Sequence, residues 1–347
     1  MSATVGDAPT WFAGAETAVG PIGVGNTTYL EALRWALEDD LAADERVLLL
    51  GQDIGLMGGA FRVTQGLQER FGEDRVRDTP IAEIAMVGAG IGLAISGWRP
   101  IIELQFMDFI SCAYDQLVTE AAKLHYRFGI PVPLVVRGPS GAGVGAGPFH
   151  SQSPEGVFAH IPGLKVVCPG TPQDAYDLLR SAIADPNPVL VFEHKALYRS
   201  LKGTVVRGGP VAPLGTALVR RPGTDLTIVT YGGMVPRCLD AATAAAAAGI
   251  ECEVVDLRTV HPFDTATLLE SVHRTGRALV VHEDTLTSGI GAEVAARLAD
   301  LAFFDLDAPV RRVTAPDTPV PFAQPLEERY VPSVERIGAA IEELASL

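Results

Sequence analysis

The sequence predicts an α/β protein built from two mainly parallel-sheet α/β domains. Short apolar runs typical of buried strands alternate with amphipathic helical patterns, as in parallel sheets that are covered by helices. The chain has 347 residues, which is long for a single hydrophobic core, so two domains are expected. Residues 202–224 lose this periodicity and contain recurrent Gly and Pro, which predicts a linker between the domains.

These observations divide the chain into four parts. Residues 1–26 are rich in Ala, Gly, Thr and Pro, and we expect a flexible arm, or one that wraps a partner. They lack the basic start and apolar segment of a secretion signal. The first domain is predicted at residues 27–201, the linker at 202–224 and the second domain at 225–347.

The first domain contains clear signals for helix starts. Thr28 and Glu31 form a capping-box pattern. Threonine caps free N–H groups and proline fits the first helical position, which predicts two more starts, at Thr79-Pro80 and Thr171-Pro172. Residues 112–128 predict an amphipathic helix with Leu117, Ala121 and Leu124 facing inward. Apolar runs predict strands at 47–50, 100–104, 133–137, 166–167 and 189–192.

The second domain repeats this alternation of strands and helices. Strands are predicted at 226–230, 252–257, 278–281 and 310–313, and helices at 239–248, 291–301 and 334–344.

Glu83 is the only ionisable residue between Ile81 and Trp98, in an almost wholly apolar run of small residues. We therefore expect it to be buried, and either protonated or fixed by a partner. One interpretation is an acid in the first turn of a helix, favoured by the helix dipole. The other is a carboxyl with a raised pKa that shares a proton with a ligand in an apolar pocket.

A glycine-rich segment, residues 138–148, contains five glycines and two prolines and predicts a loop at the carboxyl end of a strand. Such ends are where ligands bind in parallel sheets. The loop leads to His150, which is either a packed structural residue or an accessible acid or base. Phe109 either packs in the core or stacks on a flat ring.

Composition argues against several classes of function. The formal net charge of -15 disfavours binding to nucleic acid or to an anionic membrane, and no apolar run is long enough to span a bilayer. Four scattered cysteines fit a reducing compartment, which predicts a cytoplasmic protein. The glycines between Gly88 and Gly92 fall inside a helical pattern, so they make a poor dinucleotide-binding fingerprint.

Several motifs occur together in a recognisable order. They are DTPIAE (78–83), ELQFMDF (103–109), HSQSPE (150–155), PGLKVV (162–167), TYG (230–232), VDLRT (255–259) and DTPVPF (317–322). From about residue 27 onward the chain resembles the β subunit of the thiamine-diphosphate-dependent decarboxylase component of 2-oxo acid dehydrogenase complexes. The resemblance implies a transketolase-like architecture, with a pyrimidine-binding domain followed by a C-terminal transketolase-type domain.

The resemblance implies roles for particular residues. Glu83 would bond the N1′ nitrogen of the cofactor's aminopyrimidine, Phe109 would stack on that ring, and His150 would line the channel for the 2-oxo acid or the lipoyl group. Some relatives hold a potassium ion, largely through backbone carbonyls. The positions that match this site are Leu134, Ala182, Ile183, Asp185 and Asn187.

The resemblance also implies a partner, because part of the cofactor site is missing. The wider family holds the diphosphate and its metal, Mg2+, with Gly-Asp-Gly and a later Asn; this chain has no Gly-Asp-Gly and only two asparagines, Asn26 and Asn187. An α subunit would supply that half in a heterotetramer of two α and two β chains, docked on a lipoyl acyltransferase core. Position 52 is Gln where relatives often carry Glu, which weakens an acid–base role for this loop.

The expected activity is oxidative decarboxylation of a 2-oxo acid with acyl transfer to lipoyl, pyruvate being favoured and a branched-chain 2-oxo acid next. An acetoin dehydrogenase β subunit is an alternative, as is a non-catalytic scaffold that binds partners. A free-standing NAD-binding oxidoreductase is a further alternative.

Overall fold

The computed structural model describes residues 22–347, so residues 1–21 of the predicted arm lie outside the described part of the chain. The strands, in chain order, are β1 Ile22–Thr28, β2 Val47–Gly51, β3 Val76–Asp78, β4 Arg99–Glu103, β5 Val135–Ser140, β6 Lys165–Val167, β7 Val189–His194, β8 Lys202–Arg207, β9 Leu218–Arg221, β10 Leu226–Thr230, β11 Cys252–Asp256, β12 Thr259–His261, β13 Ala278–Thr285 and β14 Arg311–Ala315.

The α-helices, in the same order, are α1 Tyr29–Ala43, α2 Leu67–Phe71, α3 Glu83–Ile95, α4 Ala122–Phe128, α5 Glu155–Ala159, α6 Pro172–Ala184, α7 Leu197–Ser200, α8 Met234–Ala247, α9 Thr265–Thr275, α10 Ile290–Leu301, α11 Gln324–Tyr330 and α12 Val334–Ala345. None of the helices in residues 22–347 is long and apolar enough to cross a membrane.

The first sheet has seven strands in the order β12-β6-β7-β5-β4-β2-β3. All neighbours are parallel except β12, which comes from the second half of the chain and pairs antiparallel with β6. Helices α1 and α6 pack against each other over one face, and α3 packs on β4 on the other. Both faces are therefore covered, which is why these strands are continuous apolar runs rather than alternating ones.

Gly90 lets α3 lie close to this sheet. A Cβ at Gly90 would come within 3.0 Å of side-chain carbons of both Ile102 and Leu134. The small residues of α3 therefore serve helix-to-sheet packing at this position, and Gly88 to Gly92 lie inside the helix rather than at a strand-to-helix turn.

The second sheet has five strands in the order β14-β13-β10-β11-β9, parallel except for the edge strand β9. Helices α8 and α12 pack on one another and on this sheet, while α9 and α10 contact β10 and β13. The prediction of two mainly parallel α/β sheets is thus confirmed.

Two predicted irregular segments contain strands. Residues 22–26 of the predicted arm belong to β1, and the predicted linker at 202–224 contains β8 and β9. β1 and β8 form a two-stranded antiparallel sheet, and β9 pairs with β11. These strands pair with partners that lie far away in sequence. The local Gly and Pro content therefore predicted irregular structure where strands form.

Helix boundaries were predicted with mixed success. The capping box at the start of α1 is present, since Glu31 N donates to Thr28 Oγ1 over 3.1 Å and Thr28 N donates to Glu31 Oε2 over 2.8 Å. Thr171 caps α6 as predicted. The start at Thr79 was wrong, because Thr79 N donates to Gly51 O over 2.9 Å and prolongs the sheet, so α3 begins only at Glu83.

The single helix predicted at 112–128 is broken into three pieces. A 3₁₀ helix spans Met107–Ala113, a π-helical turn spans Gln116–Ala121, and α4 follows. Leu117 and Ala121 are buried as predicted, while Leu124 is only partly buried. A π turn adds a residue to the helical turn, so the simple 3.6-residue pattern fails there.

Candidate active site

The residues singled out from the sequence follow four neighbouring strands at the same edge of the first sheet. Gln52 follows β2, Glu83 follows β3, Phe109 follows β4, and the loop to His150 follows β5. Because these strands are parallel, their carboxyl ends meet at one edge, which is the usual ligand-binding edge of such a sheet.

Glu83 is the first residue of α3 and is half-buried, so the expectation that it would be fully buried was wrong. Its neighbours Ile81 and Ile84 are 80% and 53% exposed, which leaves this part of the apolar segment uncovered by the chain itself. The carboxylate nevertheless has a fixed partner, because Gln52 Nε2 donates to Glu83 Oε1 over 3.1 Å. Gln52 is only 4% exposed and is therefore held in place.

An aromatic cluster lies at the 3₁₀ helix Met107–Ala113, which contacts α3, the helix that Glu83 begins. The ring of His150 lies edge-on to Phe106 and Phe109, at centroid distances of 4.5 and 5.5 Å. Phe109 is partly exposed, so one part of its ring remains available to a ligand. The structure thus brings His150 and Phe109 together.

The loop to His150 is held from both sides. Gly141 N donates to Gln152 O over 2.9 Å, and Gln152 N donates to Asp108 Oδ1 over 2.9 Å. Asp108 is buried and fixes the backbone just after His150. No local pattern could reveal this contact.

Carboxylates of the second domain also reach this loop. Glu283 accepts from Ala142 N, and Glu327 accepts from Gly143 N and Gly145 N. Burial alone would raise the pKa of the Glu283 carboxyl, but the His194 imidazole and the N–H of Ala142 lower it to about 2. No local sequence pattern marks either glutamate, because their partners lie over 140 residues away.

A buried ionic network underlies the same sheet edge. Arg137 is fully buried and contacts Glu103 and Glu193, binding the latter through two hydrogen bonds of 2.5 Å. Tyr198 Oη donates a further hydrogen bond to Glu193 over 2.7 Å. These groups are hydrogen-bonded to one another in the interior, so the network is a fixed support beneath the site.

A second buried acidic group joins the two domains. Glu155 begins α5, Tyr231 Oη donates to its Oε1 over 3.0 Å, and Asp284 at the end of β13 is its charged neighbour. Burial, followed by the Asp284 charge, raises the pKa of Glu155 to about 8. Burial also raises the pKa of Asp284 to about 6. Burial and the neighbouring carboxylate therefore favour the protonated form of Glu155.

The positions matched to a potassium site lie at the opposite edge of the first sheet. Leu134 precedes β5, and its carbonyl accepts from Val189 N over 2.9 Å, while residues 182–187 comprise the end of α6 and the start of its connection to β7. Arg99 already donates to the carbonyls of Ile183, at 2.6 Å, and Asp185, at 3.2 Å. A carbonyl has a second lone pair, so these bonds still leave acceptors for a cation.

Metal ligands of another kind are absent from residues 22–347. No group of three or more His, Cys, Asp or Glu side chains there could hold a metal ion. The four cysteines are free thiols, and three of them are buried. The carboxyl group of Glu83, the aromatic face of Phe109 and the imidazole of His150 suit a flat ring that can share a proton.

Comparison with protein families gives two matches that together cover most of the chain. Residues 26–200 match the transketolase pyrimidine-binding domain, and residues 215–337 match the transketolase C-terminal domain. Among solved structures, a split-gene transketolase, described as an inactive β4 tetramer, superposes with a TM-score of 0.73 at 21% identity, covering 93% of this chain and 99% of that one. This likeness concerns the fold alone.

Curated relatives are much closer in sequence. The chain is 47% identical over 321 residues to the 2-oxoisovalerate dehydrogenase subunit beta of Bacillus subtilis. The aligned region covers 92% of this chain and 98% of that protein. It is 48% identical over 299 residues to the pyruvate dehydrogenase E1 component subunit beta of the same organism (86% and 92% covered). It is 46% identical over 321 residues to the acetoin:2,6-dichlorophenolindophenol oxidoreductase subunit beta of Cupriavidus necator (89% and 94% covered).

Proposed function

Because the chain belongs to the transketolase-like family of E1 β subunits of 2-oxo acid dehydrogenase complexes, we propose that it forms one half of a thiamine-diphosphate-dependent active site. In this proposal the first domain binds the aminopyrimidine ring of the cofactor. When bound, the cofactor would supply a carbon nucleophile for the 2-oxo acid.

The observation that carries the proposal is the placement of Glu83. A lone carboxylate begins α3 at the carboxyl edge of the sheet, and Gln52 engages Oε1. A carboxyl group in this position can hold a proton at an oxygen and pass it to a ring nitrogen across a short hydrogen bond. Phe109 would stack on the same ring, and His150 would line the substrate side of it.

An α subunit would complete the site. Large apolar side chains are exposed around the sheet edge that carries Glu83, where a monomer would normally cover them. They are Leu56, Met57, Ile81, Ile84 and Phe149. With no metal-ligand group in the described residues, the diphosphate and Mg2+ would be held by the partner. We propose a heterotetramer of two α and two β chains that docks on a lipoyl acyltransferase core.

We also propose that the positions matched to a potassium site bind a potassium ion in this protein. They lie at the sheet edge remote from Glu83, so a cation there would stabilise the turn between α6 and β7 rather than take part in chemistry.

We propose a 2-oxo acid as the substrate. Turnover of the reconstituted complex with pyruvate and with a branched-chain 2-oxo acid decides between the two. The relatives divide almost evenly, at 48% identity to a pyruvate enzyme subunit and 47% to a 2-oxoisovalerate enzyme subunit. Acetoin remains the third substrate to assay, since a relative named for it is 46% identical.

The decisive experiment is Glu83→Gln in the complex reconstituted with its α subunit. General acid–base catalysis contributes about 10²–10⁴-fold, so we expect kcat to fall at least about 100-fold with the preferred 2-oxo acid. Glu69→Gln is the matched control, because Glu69 is an exposed acid in the first turn of another helix, α2. Equal turnover in both variants would rule out the role of Glu83 and leave the scaffold alternative. Binding of NAD without any thiamine diphosphate dependence would favour an oxidoreductase.

A further inference from the structure

We propose that Glu327, in the second domain, is a positioning residue that fixes the glycine-rich loop and through it His150. The inference rests on the proposed function only where it concerns turnover. The anchoring of the loop is a separate claim about this chain and can be tested without any substrate.

The backbone of the loop turns its N–H groups toward the second domain. Gly141, Gly143, Gly145 and Gly147 all have positive φ angles, between 67° and 94°, which glycine adopts without strain. Gly143 N donates to Glu327 Oε1 over 2.9 Å, and Gly145 N donates to Glu327 Oε2 over 2.9 Å. The two carboxylate oxygens of Glu327 therefore bind two different backbone N–H groups of the loop.

Glu327 is well suited to this task because it is itself immobile. It lies in α11 and is only 4% exposed. A buried carboxylate needs hydrogen-bond donors to offset its lost hydration, and bonds to a charged acceptor are stronger than neutral ones. The residues it holds are different: Gly143, Val144 and Gly145 are exposed and have little packing of their own. Glu327 is thus the main constraint on this part of the loop.

The same loop is anchored on either side of Glu327. Glu283 accepts from Ala142 N, and its other oxygen, Oε2, lies 2.7 Å from His194 Nε2. The ring of Phe322 covers Gly147, where a Cβ would come within 2.5 Å of its carbons. Together these contacts fix residues 142–147 against the second domain. The loop then continues to His150, which packs edge-on against Phe106 and Phe109.

The consequence is that the second domain sets the position of a residue in the site of the first. A misplacement of about 1 Å can cost about 100-fold in rate. Loss of the Glu327 anchor should therefore lower kcat/KM while leaving the binding of the cofactor ring, which depends on Glu83 and Phe109, nearly unchanged.

The test uses Glu327→Gln and Glu327→Asp in the reconstituted complex. Glutamine offers one acceptor oxygen and turns its NH₂ group toward the other loop N–H, whereas aspartate keeps both oxygens on a shorter side chain. Glu328→Gln is the matched control, since Glu328 is the exposed neighbour on the same helix and accepts a hydrogen bond from Gln324.

Two readouts need no turnover. Amide hydrogen exchange of the peptide covering residues 141–147 should be at least 10-fold faster in Glu327→Gln, with exchange elsewhere unchanged. Modification of His150 by diethyl pyrocarbonate, followed by mass spectrometry, should be several-fold faster. Glu327→Asp should fall between the wild type and Glu327→Gln in both, which a general folding defect would not produce.

The third readout is kinetic. We expect kcat/KM for the preferred 2-oxo acid to fall at least 10-fold in Glu327→Gln, with the thiamine diphosphate affinity within 2-fold of wild type. Loop exchange and His150 modification equal to those of Glu328→Gln would overturn the proposal. Faster exchange with unchanged kcat/KM would overturn the positioning role. If the wild-type complex turns over no 2-oxo acid, the proposed function fails, while the exchange and modification data still decide whether Glu327 anchors the loop.

Discussion

The side-chain amide of Gln52 donates a hydrogen bond to the carboxylate of Glu83 across 3.1 Å, from a position that is itself buried. This contact orients one oxygen of the carboxylate and so fixes where the other can point. A hydrogen bond to a charged group is worth about 1.5–3 kcal/mol, so Gln52→Ala should lower kcat/KM about 10-fold or more.

Gln52→Glu should give a different result. Two adjacent carboxyl groups tend to share one proton, so the pH profile of kcat/KM should move to higher pH while the enzyme stays active. Gln105→Ala is the control, because Gln105 donates a similar 3.1 Å bond to the exposed carboxylate of Asp53. Identical pH profiles in Gln52→Glu and wild type would argue that position 52 does not act on Glu83.

Phe109 should contribute to cofactor affinity. A stacked ring pair is worth about 0.5–1.5 kcal/mol beyond area burial, so Phe109→Ala should weaken thiamine diphosphate binding by roughly 10-fold. The measurement is a titration of the reconstituted complex with the cofactor. Phe128→Ala, at an exposed aromatic position at the end of α4, should leave the affinity unchanged. Unaltered affinity in Phe109→Ala would mean that the ring only packs in the protein.

Arg137 should be essential to stability. Its removal leaves Glu103 and Glu193 buried without their shared cation, and breaking a buried ion pair costs about 3–5 kcal/mol. Arg137→Ala should therefore lower the free energy of unfolding by at least that amount in urea titrations of the full chain. Arg127→Ala, at an exposed site, should change it little. A loss below about 1 kcal/mol would contradict the structural role of the network.

Glu155 should make stability fall as the pH rises. Its folded-state pKa is raised from 4.5 to about 8, so between these values the native state keeps a proton that the unfolded chain releases. The favourable contribution is complete below pH 4.5 and lost above pH 8, with a slope of at most about 1.4 kcal/mol per pH unit for one proton.

Glu155→Gln should remove this slope, since an amide does not titrate. Urea titrations from pH 5 to 8.5 should show the variant gaining stability relative to the wild type as the pH rises. Groups that do not interact with Glu155 titrate equally in both proteins and cancel, so the difference reports Glu155 together with its neighbour Asp284. Parallel curves would show that Glu155 is ionised in the native state.

Potassium should stabilise the turn between α6 and β7. At fixed ionic strength, replacing choline by K+ should raise Tm by about 2 °C or more if the ion binds the native state, because a ligand that binds only the folded chain shifts the equilibrium toward it. Na+ is the matched control for size. Equal Tm values in all three salts would indicate that the Arg99 bonds to Ile183 and Asp185 have replaced the ion.

Much of this fold could be predicted because its strands are buried on both faces. Continuous apolar runs such as residues 47–50 and 189–192 are typical of strands that are covered on both faces. Thr28 and Thr171 mark helix starts because each accepts a hydrogen bond from the backbone N–H three residues later. The motifs singled out Glu83, Phe109 and His150, and the structure places all three after neighbouring strands at one edge of the first sheet.

The exposure of Glu83 could not be predicted in the same way. An all-apolar helix pattern predicts burial, but it does not say whether the covering surface comes from the same chain or from another one. Ile81 and Ile84 are uncovered here, which the sequence pattern could not distinguish from core packing. Glu327 and the β1–β8 pair also escaped prediction, because each contact joins residues separated by more than 170 positions.

The antiparallel strand β12 has a consequence for fragments of this protein. It closes the first sheet beside β6 but is encoded after the start of the second domain. A truncated gene that stopped near residue 224 would produce a sheet in which the backbone N–H and C=O groups of β6 are unpaired on one side. Such exposed strands pair with strands of other molecules, and the protein aggregates. Expression of the first domain by itself should therefore succeed only when the piece carrying residues 259–261 is supplied with it.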